Sequence, residues 1–460
     1  MRSWLNAQDN ILDAVSLLPQ FGGFLYTLVS FVVALSVIVA VHEYGHYIVG
    51  RWSGIHAEVF SIGFGPVLWS RMDKRGTRWQ IALLPFGGYV KFLGDSDAAS
   101  GKDAAAMAGA QADPAELRRT MHGAPLWART ATVAAGPLFN FVMSALVFAA
   151  VFLVQGTARD PLTVGSVQQN PWSQGQLQEG DELMAIGGAA VPAFDDAEGW
   201  AGFREAVPQD GVLTYQVKRD GQTLEVKGPY LWPSLVQSIA PRSAAADAGL
   251  RPGDAIIGLD GQPVFAFDQL KSAVEGGNGA PLALEVDRGG ELLNLTLTPR
   301  PTDEPQADGS FQTQWRIGIV GGMVIEPATA PLGAWDALTG GVLQVWRVID
   351  TSLSGLKHMI TGAISTCNLS GPLGIAETSG TMASQGAQSF ITFIAVLSTA
   401  VGMLNLFPIP ALDGGHLMFY AFEAVTGRPP SDTAKRLLMA VGIAAILTLM
   451  LFSLSNDIFC

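Results

Sequence analysis

The sequence predicts a multi-pass α-helical membrane protein with four transmembrane helices, a membrane-associated β-hairpin and two small β-rich α+β domains in tandem outside the membrane. Of the 460 residues, 49% are hydrophobic and only 15% are charged, so a wholly soluble chain is disfavoured. Four apolar runs, at about residues 24–48, 130–154, 391–412 and 434–454, are long enough to cross a bilayer. The segment between the second and third runs contains an internal repeat, which predicts the tandem domains.

Charge is distributed unevenly along the chain. Residues 156–390 contain 13 Lys/Arg and 26 Asp/Glu, which accounts for the whole net charge of −13. The connection at residues 51–129 instead holds ten Lys/Arg. By the positive-inside rule this connection is cytoplasmic, while both termini and the acidic segment lie outside. The acidic balance also disfavours a nucleic-acid partner.

The first apolar run carries a candidate metal site. After a lead of residues 1–23, the predicted helix of residues 24–50 contains His42-Glu43-Tyr44-Gly45-His46. Histidines at i and i+4 share one helical face and can bind one Zn²⁺. Glu43 is placed to take a proton from a water on that metal, as in the H-E-x-x-H metalloproteases. A chance match is the alternative, but ionisable groups inside a membrane span are costly and usually functional.

The cytoplasmic connection begins with two apolar stretches, residues 57–69 and 78–90, that are rich in β-branched and aromatic residues. They predict a β-hairpin whose free edge could pair with an extended substrate, although a purely structural hairpin fits the pattern as well. Residues 95–113 are typical of a linker. The candidate substrate-contacting residues of the hairpin are Gly63, Phe64, Gly65, Phe86, Gly87 and Gly88.

The second apolar run, residues 130–155, places Gly136, Asn140 and Ser144 four residues apart on one helical face. Such a stripe of small and polar residues predicts close packing against another helix. Asn140 needs a polar partner inside a bilayer, and support of the metal site is the alternative to packing. Asn140 is also a candidate substrate-contacting residue.

In the outer segment, residues 177–188 return 73 positions later as residues 250–261. The repeat predicts a first domain at residues 156–230 and a second at residues 231–303, either of which could bind peptide termini or serve as a spacer. Residues 304–390 then contain a strand and a helix, residues 335–360, whose helical apolar spacing predicts that it lies on the outer leaflet.

The third apolar run, residues 391–415, ends in the pattern N-x-x-P-x-x-x-L-D-G-G-H, from Asn405 to His416. Its prolines and glycines prevent a continuous helix, and irregular backbone at that depth must line a cavity or be buried in protein. Asp413 is preferred as third zinc ligand because it lies closer to the membrane, but spacing alone leaves His416 open. Asn405 is free to donate a hydrogen bond to a substrate carbonyl. A loop at residues 416–433 and a fourth span with a tail, residues 434–460, complete the chain.

Together these motifs resemble the site-2 protease family of intramembrane zinc metalloproteases, specifically its members that regulate the bacterial sigma-E stress response. The resemblance also covers the G-x-x-x-N stripe and the N-L-S-G-P stretch at residues 368–372. It implies that His42, His46 and Asp413 bind Zn²⁺, that Glu43 is the general base, and that Asn405 lies near the substrate. His416 becomes a supporting residue, the repeats become PDZ-like domains, and the hairpin becomes a membrane-reentrant element that holds the substrate strand.

The function implied by this resemblance is cleavage of single-pass membrane proteins within the bacterial inner membrane, in contact with lipid. An anti-sigma factor that has already been cut outside, and signal-peptide remnants, are the expected substrates. A membrane-anchored PDZ receptor with an idle metal site and an ion transporter that uses intramembrane His and Asp are the alternatives. Cleavage of a helical substrate by a Glu43→Gln variant as fast as by the parent would contradict the enzymatic assignment, and metal flux without proteolysis would favour the transporter.

Overall fold

The structure, a computed structural model, describes residues 2–96, 101, 103–168, 171–172, 175–194, 196–306 and 311–459. The chain forms two compact units, each described here by itself. The first unit comprises residues 1–151, 337–357 and 366–460, and the second comprises residues 152–336 and 358–365.

The chain begins with four helices and two long strands. They are α1 (Arg2–Trp52), β1 (Ala57–Met72), β2 (Arg78–Phe92), α2 (Ala104–Ala110), α3 (Pro114–Arg118) and α4 (Leu126–Gln155). The backbone of the N-terminal lead belongs to α1.

The second unit is built mainly from short strands. The strands are β3 (Thr157–Ala158), β4 (Val164–Val167), β5 (Glu182–Ile186), β6 (Ala189–Ala190), β7 (Val212–Arg219), β8 (Gln222–Pro229), β9 (Ser238–Ile239), β10 (Ala255–Leu259), β11 (Gln262–Pro263), β12 (Leu282–Arg288), β13 (Glu291–Leu297), β14 (Arg300–Pro305), β15 (Phe311–Arg316), β16 (Ile319–Val320), β17 (Ile325–Pro327) and β18 (Thr329–Ala330). Three short helices lie between them: α5 (Ala197–Ala206), α6 (Ala244–Asp247) and α7 (Phe267–Gly276).

The chain ends with α8 (Ala334–Ile360), a 3-10 turn (Thr366–Asn368), α9 (Pro372–Ser384), α10 (Ala387–Asn405), α11 (Asp413–Thr426) and α12 (Asp432–Phe459). Four helical stretches of the described chain are long and apolar enough to cross a membrane: Gly23–Trp52, Leu126–Gln155, Ala387–Asn405 and Asp432–Phe459. The four predicted spans are therefore confirmed as long apolar helices.

The third span is shorter than its apolar run predicts. The run extends to residue 412, but α10 ends at Asn405 and α11 starts at Asp413. Pro408 and Pro410 cannot continue the hydrogen bonding of a helix, and Ala411 has a left-handed φ of 89°. The irregular stretch predicted from the prolines and glycines is therefore present.

Strands β1 and β2 form a sheet larger than the predicted hairpin. Phe60 near the start of β1 pairs with Val90 on one side and with Trp79 on the other. The second part of β1, residues 64–72, pairs with residues 78–84. The four segments thus lie in the order 64–72, 78–84, 57–62, 88–92. The bend in β1 falls at Gly63, whose φ is 91° and where a Cβ would lie 2.8 Å from a backbone oxygen.

An aromatic cluster fixes this sheet against α1. Tyr47, one residue beyond the H-E-x-x-H motif, has its ring 5.1 Å from that of Trp79 and 5.8 Å from that of Phe60. The Phe60 and Trp79 rings are 4.3 Å apart. Contacts between aromatic rings at these separations stabilise the fold beyond the contribution of apolar burial alone. The sheet is therefore held beside the metal motif by side chains of the same helix.

The repeat of residues 177–188 and 250–261 corresponds to two equivalent sheets in the second unit. One has the strand order β6-β5-β7-β8 and the other β11-β10-β12-β13. Each has its own buried apolar cluster, with Tyr215 central to one and Ile256 to the other. After residue 303 the chain returns to pair β16 with β9 and β17 with β4. The PDZ-like character of the domains and their boundaries at residues 230 and 303 stay predictions.

Helix α8 spans the predicted amphipathic segment. Ala337, Gly341 and Val345 are buried, and a Cβ on Gly341 would lie 2.3 Å from the Ala145 oxygen of α4. Small residues thus let α8 cross α4 closely. Trp346 is 65% exposed, which leaves an apolar face open, and its position on the outer leaflet stays a prediction.

Candidate metal centre

Helix α1 presents both histidines of the motif on one face. The rings of His42 and His46 lie edge to face with their centroids 4.8 Å apart. Their Nε2 atoms are 3.2 Å apart. A spacing of four residues brings side chains together in this way because the α-helix has 3.6 residues per turn.

The third candidate ligand comes from the start of α11. The chain turns back sharply through residues 406–412 because the two residues after Asp413 are glycines. A Cβ on Gly414 would lie 2.1 Å from the Phe407 oxygen, and one on Gly415 would lie 2.5 Å from the Ile409 oxygen. The turn aims Asp413 at the histidine pair, with Oδ2 at 3.1 Å from His42 Nε2 and 3.5 Å from His46 Nε2.

These three atoms fit a tetrahedral metal ion. Ligands at about 2.0–2.1 Å from Zn²⁺ in tetrahedral geometry are roughly 3.3 Å from one another, close to the separations of 3.1, 3.2 and 3.5 Å found here. The buried Oδ2 of Asp413 has no hydrogen-bonding partner in the described structure. Within that part of the chain, His42, His46 and Asp413 are the group of side chains that could hold a metal ion. The donor set therefore fits Zn²⁺.

Helix α4 supports the histidines from behind. His46 Nδ1 lies 2.9 Å from the carbonyl oxygen of Thr132 and can donate to it, which leaves Nε2 free for a metal. Asn140 contacts Nδ1 of His42 at 3.3 Å. A Cβ on Gly136, between them on α4, would lie 2.3 Å from His46 Nε2. The absence of a side chain at Gly136 is what allows α4 to approach the ligands.

Glu43 lies between α1 and the sheet edge at β2. A Cβ on Gly88 would be 3.0 Å from Glu43 Cγ, so the backbone of β2 passes directly over the carboxylate side chain. Both the metal-binding atoms and Glu43 line one cavity of about 410 Å³, together with Gly88, Tyr89 and Val90.

The predicted substrate-contacting residues are distributed around this cavity and beyond it. Asn405 and Gly88 line the cavity. Asn405 donates one amide hydrogen to the Val401 oxygen at 3.0 Å. Asn140 lies on the opposite side of His42, fully buried. The contact between Asn140 and His42 Nδ1 at 3.3 Å fits the alternative role of Asn140, support of the metal site, and contact of Asn140 with a substrate stays a prediction.

Four other predicted hairpin residues, Gly63, Phe64, Gly65 and Gly87, are not among the described residues that line the metal cavity. Phe64 is 40% exposed and stacks on Tyr89 at 6.0 Å. The Phe64 ring packs against Gly87, where a Cβ would lie 2.4 Å from the ring. Gly63 and Gly65 belong to the bend of β1, and the side chain of Phe86 lies outside the described residues. Their contact with a substrate stays a prediction.

His416, the alternative third ligand, lines the cavity but is not one of the three converging side chains. It also lines a second cavity of about 750 Å³. Met121, His416, Tyr420, Met439 and Ile443 line both cavities. The two spaces are therefore neighbours separated by a shared set of side chains.

Arg129 and Glu423, which line this second cavity, form an ion pair that the sequence does not predict. Arg129 Nη1 and Nη2 donate to the two carboxylate oxygens of Glu423 at 3.0 and 2.6 Å. The Arg129 guanidinium also lies over the Tyr420 ring, 5.2 Å from its centroid. The pair joins α4 to α11, the helix that begins with Asp413. Its partners are 294 residues apart, so no local pattern could predict it.

Fold and centre together define a membrane protein with a candidate zinc centre between its helices. The model of peptidase family M50 matches residues 30–449. A Rhizobium meliloti protein that carries a zinc metalloprotease name is 36% identical over 439 residues, 94% of this chain and 96% of that protein. The regulator of sigma-E protease RseP of Escherichia coli K12 is 33% identical over 480 residues, 94% of this chain and 98% of that protein.

Among solved structures, the HtrA3 PDZ domain bound to a phage-derived ligand matches 14% of this chain and 58% of that chain at 35% identity. Its TM-score of 0.14 is too low to carry an argument. The long matches decide the question. The chain belongs to peptidase family M50, the site-2 proteases, and is a zinc metalloendopeptidase.

Proposed function

We propose that the protein hydrolyses a peptide bond within the transmembrane segment of single-pass membrane proteins. The observation that supports this most strongly is the triangle of His42, His46 and Asp413, with Glu43 in the same cavity. The histidines and Glu43 lie in a helix apolar enough to span a membrane. A peptide bond must therefore reach them within or next to the bilayer.

The residues of the cavity would divide the work of hydrolysis. His42, His46 and Asp413 would hold Zn²⁺, which supplies Lewis acidity toward a carbonyl and lowers the pKa of a bound water. Glu43 accepts the proton from the attacking water and returns it to the amine of the leaving product. Asn405 uses one amide hydrogen on Val401, so the other is available to a substrate carbonyl oxygen.

The edge of β2 offers a way to hold the substrate in extended form. An intact helix hides its peptide bonds, so the substrate must unwind where it is cut. Residues 88–92 pair with residues 57–62 on one side, and Gly88, Tyr89 and Val90 line the metal cavity. A substrate strand that adds to this edge would place its carbonyl groups beside Glu43.

The names of the relatives guide the choice of substrate. The Escherichia coli relative is named as a regulator of sigma-E, which makes an anti-sigma factor the first substrate to propose and signal-peptide remnants the second. We place the protein in the bacterial inner membrane, with both termini and the second unit in the periplasm and the metal toward the cytoplasm. The two repeats would then admit substrates whose outer domain has already been removed.

Substitution of the general base tests the proposal. Glu43→Gln keeps the three ligands and should retain the zinc content of the parent, while cleavage of a helical membrane substrate falls by about 100- to 10,000-fold. The matched control is Glu58→Gln, on β1, where the carboxylate only pairs with Lys91 at 3.2 Å. Zinc content and product masses of the purified proteins are the measurements. Cleavage by Glu43→Gln at the parent rate would exclude the assignment.

A further inference from the structure

Asn140 is a fully buried amide whose hydrogen bonding is incomplete. It lies on α4 with 0% of its surface exposed. As placed, its Nδ2 faces His42 Nδ1 at 3.3 Å, and its Oδ1 has no hydrogen-bonding partner in the described structure. An unsatisfied buried acceptor destabilises the fold, so a second arrangement of the same side chain must be considered.

The ligand geometry decides which ring nitrogen of His42 carries the proton. His42 Nε2 points at Asp413 Oδ2, 3.1 Å away, and at His46 Nε2. A metal there needs the lone pair of Nε2, so the proton of the neutral ring must be on Nδ1. An Nδ1–H group facing Nδ2 of Asn140 would set a donor against a donor.

Turning the amide by 180° removes both difficulties. The nitrogen and oxygen of an Asn amide have nearly the same shape, and their placement follows from the hydrogen-bond network. With Oδ1 toward His42, the orphaned acceptor gains the Nδ1–H donor. The same arrangement already exists at His46, whose Nδ1 contacts the Thr132 oxygen at 2.9 Å. One helix, α4, would thus orient both rings.

We propose that Asn140 is a positioning residue that accepts a hydrogen bond from His42 Nδ1 and thereby fixes the ring and tautomer that bind the metal. The inference rests on the ligand set of the proposed function. A hydrogen-bond partner of this kind orients a metal-bound imidazole and raises its basicity, and its loss typically weakens metal binding 10- to 100-fold.

Helix packing does not account for the Asn140 amide. The Cβ of Asn140 packs against α10, where a Cβ on Gly402 would lie 3.2 Å from it. The hydrogen bonds that join α4 to α10 use Ser144, whose hydroxyl donates to the Ala395 oxygen at 2.8 Å, and Ser398, which donates to the Asn140 backbone oxygen at 3.3 Å. These contacts leave the Asn140 amide to His42. Ser144→Ala is therefore a matched control, because it perturbs the same buried face of α4 without contacting a ligand.

The test measures metal binding directly. Zinc affinity is determined by chelator competition on the full-length protein in detergent, and the visible spectrum of the cobalt-substituted protein reports ligand geometry. Asn140→Leu, apolar and similar in size, should bind zinc about 10- to 100-fold more weakly and change the cobalt spectrum. Asn140→Asp restores an acceptor and should return the affinity to within a few-fold of the parent. Ser144→Ala should lower the unfolding temperature and leave zinc affinity unchanged.

Two outcomes would overturn the inference: Asn140→Leu with the zinc affinity and cobalt spectrum of the parent, or an equal loss of affinity in Ser144→Ala. Should Asn140→Leu not fold, Asn140→Ala gives the same readouts. His46→Ala separates the two levels of the argument. If it keeps the parent affinity, the ligand assignment fails. If it abolishes binding while Asn140→Leu does not change it, only the role of Asn140 is wrong.

Discussion

Asp181 and Asp413 both have buried carboxylate oxygens, but they differ in whether the protein supplies hydrogen bonds to those oxygens. Asp181 in the second unit is fully buried and receives hydrogen bonds from Arg219 at 2.6 and 2.7 Å and from the Gln178 amide at 2.9 Å. Asp413 in the first unit faces two imidazoles, and its buried Oδ2 has no hydrogen-bonding partner in the described structure. The first carboxylate is satisfied by the protein, whereas the second is left for an ion.

The satisfied arrangement occurs twice, which identifies it as part of the repeat. Both carboxylate oxygens of Asp254 accept hydrogen bonds from Arg288 at 2.7 Å, and one also accepts a hydrogen bond from the backbone amide of Arg251 at 2.8 Å. The glycine before each aspartate is left-handed, with φ of 90° at Gly180 and 93° at Gly253. A feature that two domains share and that is complete within each is structural. We therefore expect removal of the Asp413 carboxylate to affect metal binding and catalysis, and removal of the Asp181 carboxylate to affect stability.

The largest difference is expected in catalysis. Asp413→Asn removes the anionic ligand, and a centre that has lost several kcal/mol of metal-derived stabilisation should cleave at least about 1000-fold more slowly. Asp181→Asn should cleave at nearly the parent rate once folded. Zinc content and cleavage rate of both purified variants are the measurements. Comparable loss of zinc in the two variants would contradict the distinction between them.

Sequence patterns predicted the candidate metal-binding carboxylate, Asp413, better than the ion-paired carboxylate, Asp181. The two histidines share a helix, so the spacing of four residues alone brings them together, and the prolines and glycines around Asp413 signalled the broken helix. The resemblance, rather than spacing, settled the choice between Asp413 and His416. The repeat revealed the Gly-Asp turns but not their arginine partners, because Arg219 and Arg288 are 38 and 34 residues from their aspartates.

The strand pairing created by the bend in β1 could not be predicted from the sequence either. The apolar stretches of residues 57–69 and 78–90 predicted two strands, but the bend at Gly63 that doubles the sheet depends on how β1 packs against the carbonyls of β2. The Thr132 oxygen that orients His46 is a backbone atom, which any residue type would supply. Local patterns therefore predicted the elements and the histidine pair, whereas the groups that orient the histidines depend on tertiary contacts.

The second prediction concerns stability against acid. Burial alone would raise the pKa of Asp181, but hydrogen bonds from Arg219 and the Gln178 amide outweigh burial and hold the pKa below its ordinary value. A carboxyl with a lowered folded-state pKa stabilises the fold above its unfolded pKa of about 3.9, and this stability is lost as pH falls through the folded pKa. The parent should therefore lose unfolding temperature more steeply below about pH 4 than Asp181→Asn.

At neutral pH the parent should be more stable than Asp181→Asn. Asp181→Asn leaves Arg219 without its anionic partner, so the variant should unfold several degrees lower than the parent. Thermal unfolding of the full-length protein followed between pH 3 and 7 measures both effects. Parallel pH profiles for parent and variant would show that the ion pair does not contribute to the stability of the fold.

The smallest effect is expected at the ion pair between Arg129 and Glu423, which tests whether a satisfied carboxylate near the metal centre behaves like Asp181. Its side chains are only 14 and 17% exposed. Removing one partner leaves the other charge buried and unpaired, whereas removing both leaves two neutral amides. Arg129→Gln and Glu423→Gln should each lower the unfolding temperature, and the double variant should be no less stable than either. A coupling free energy of about 1–3 kcal/mol in this cycle is expected, with zinc content unchanged throughout. Loss of zinc in Glu423→Gln would instead mean that the pair holds α11, and with it Asp413, in register with the histidines.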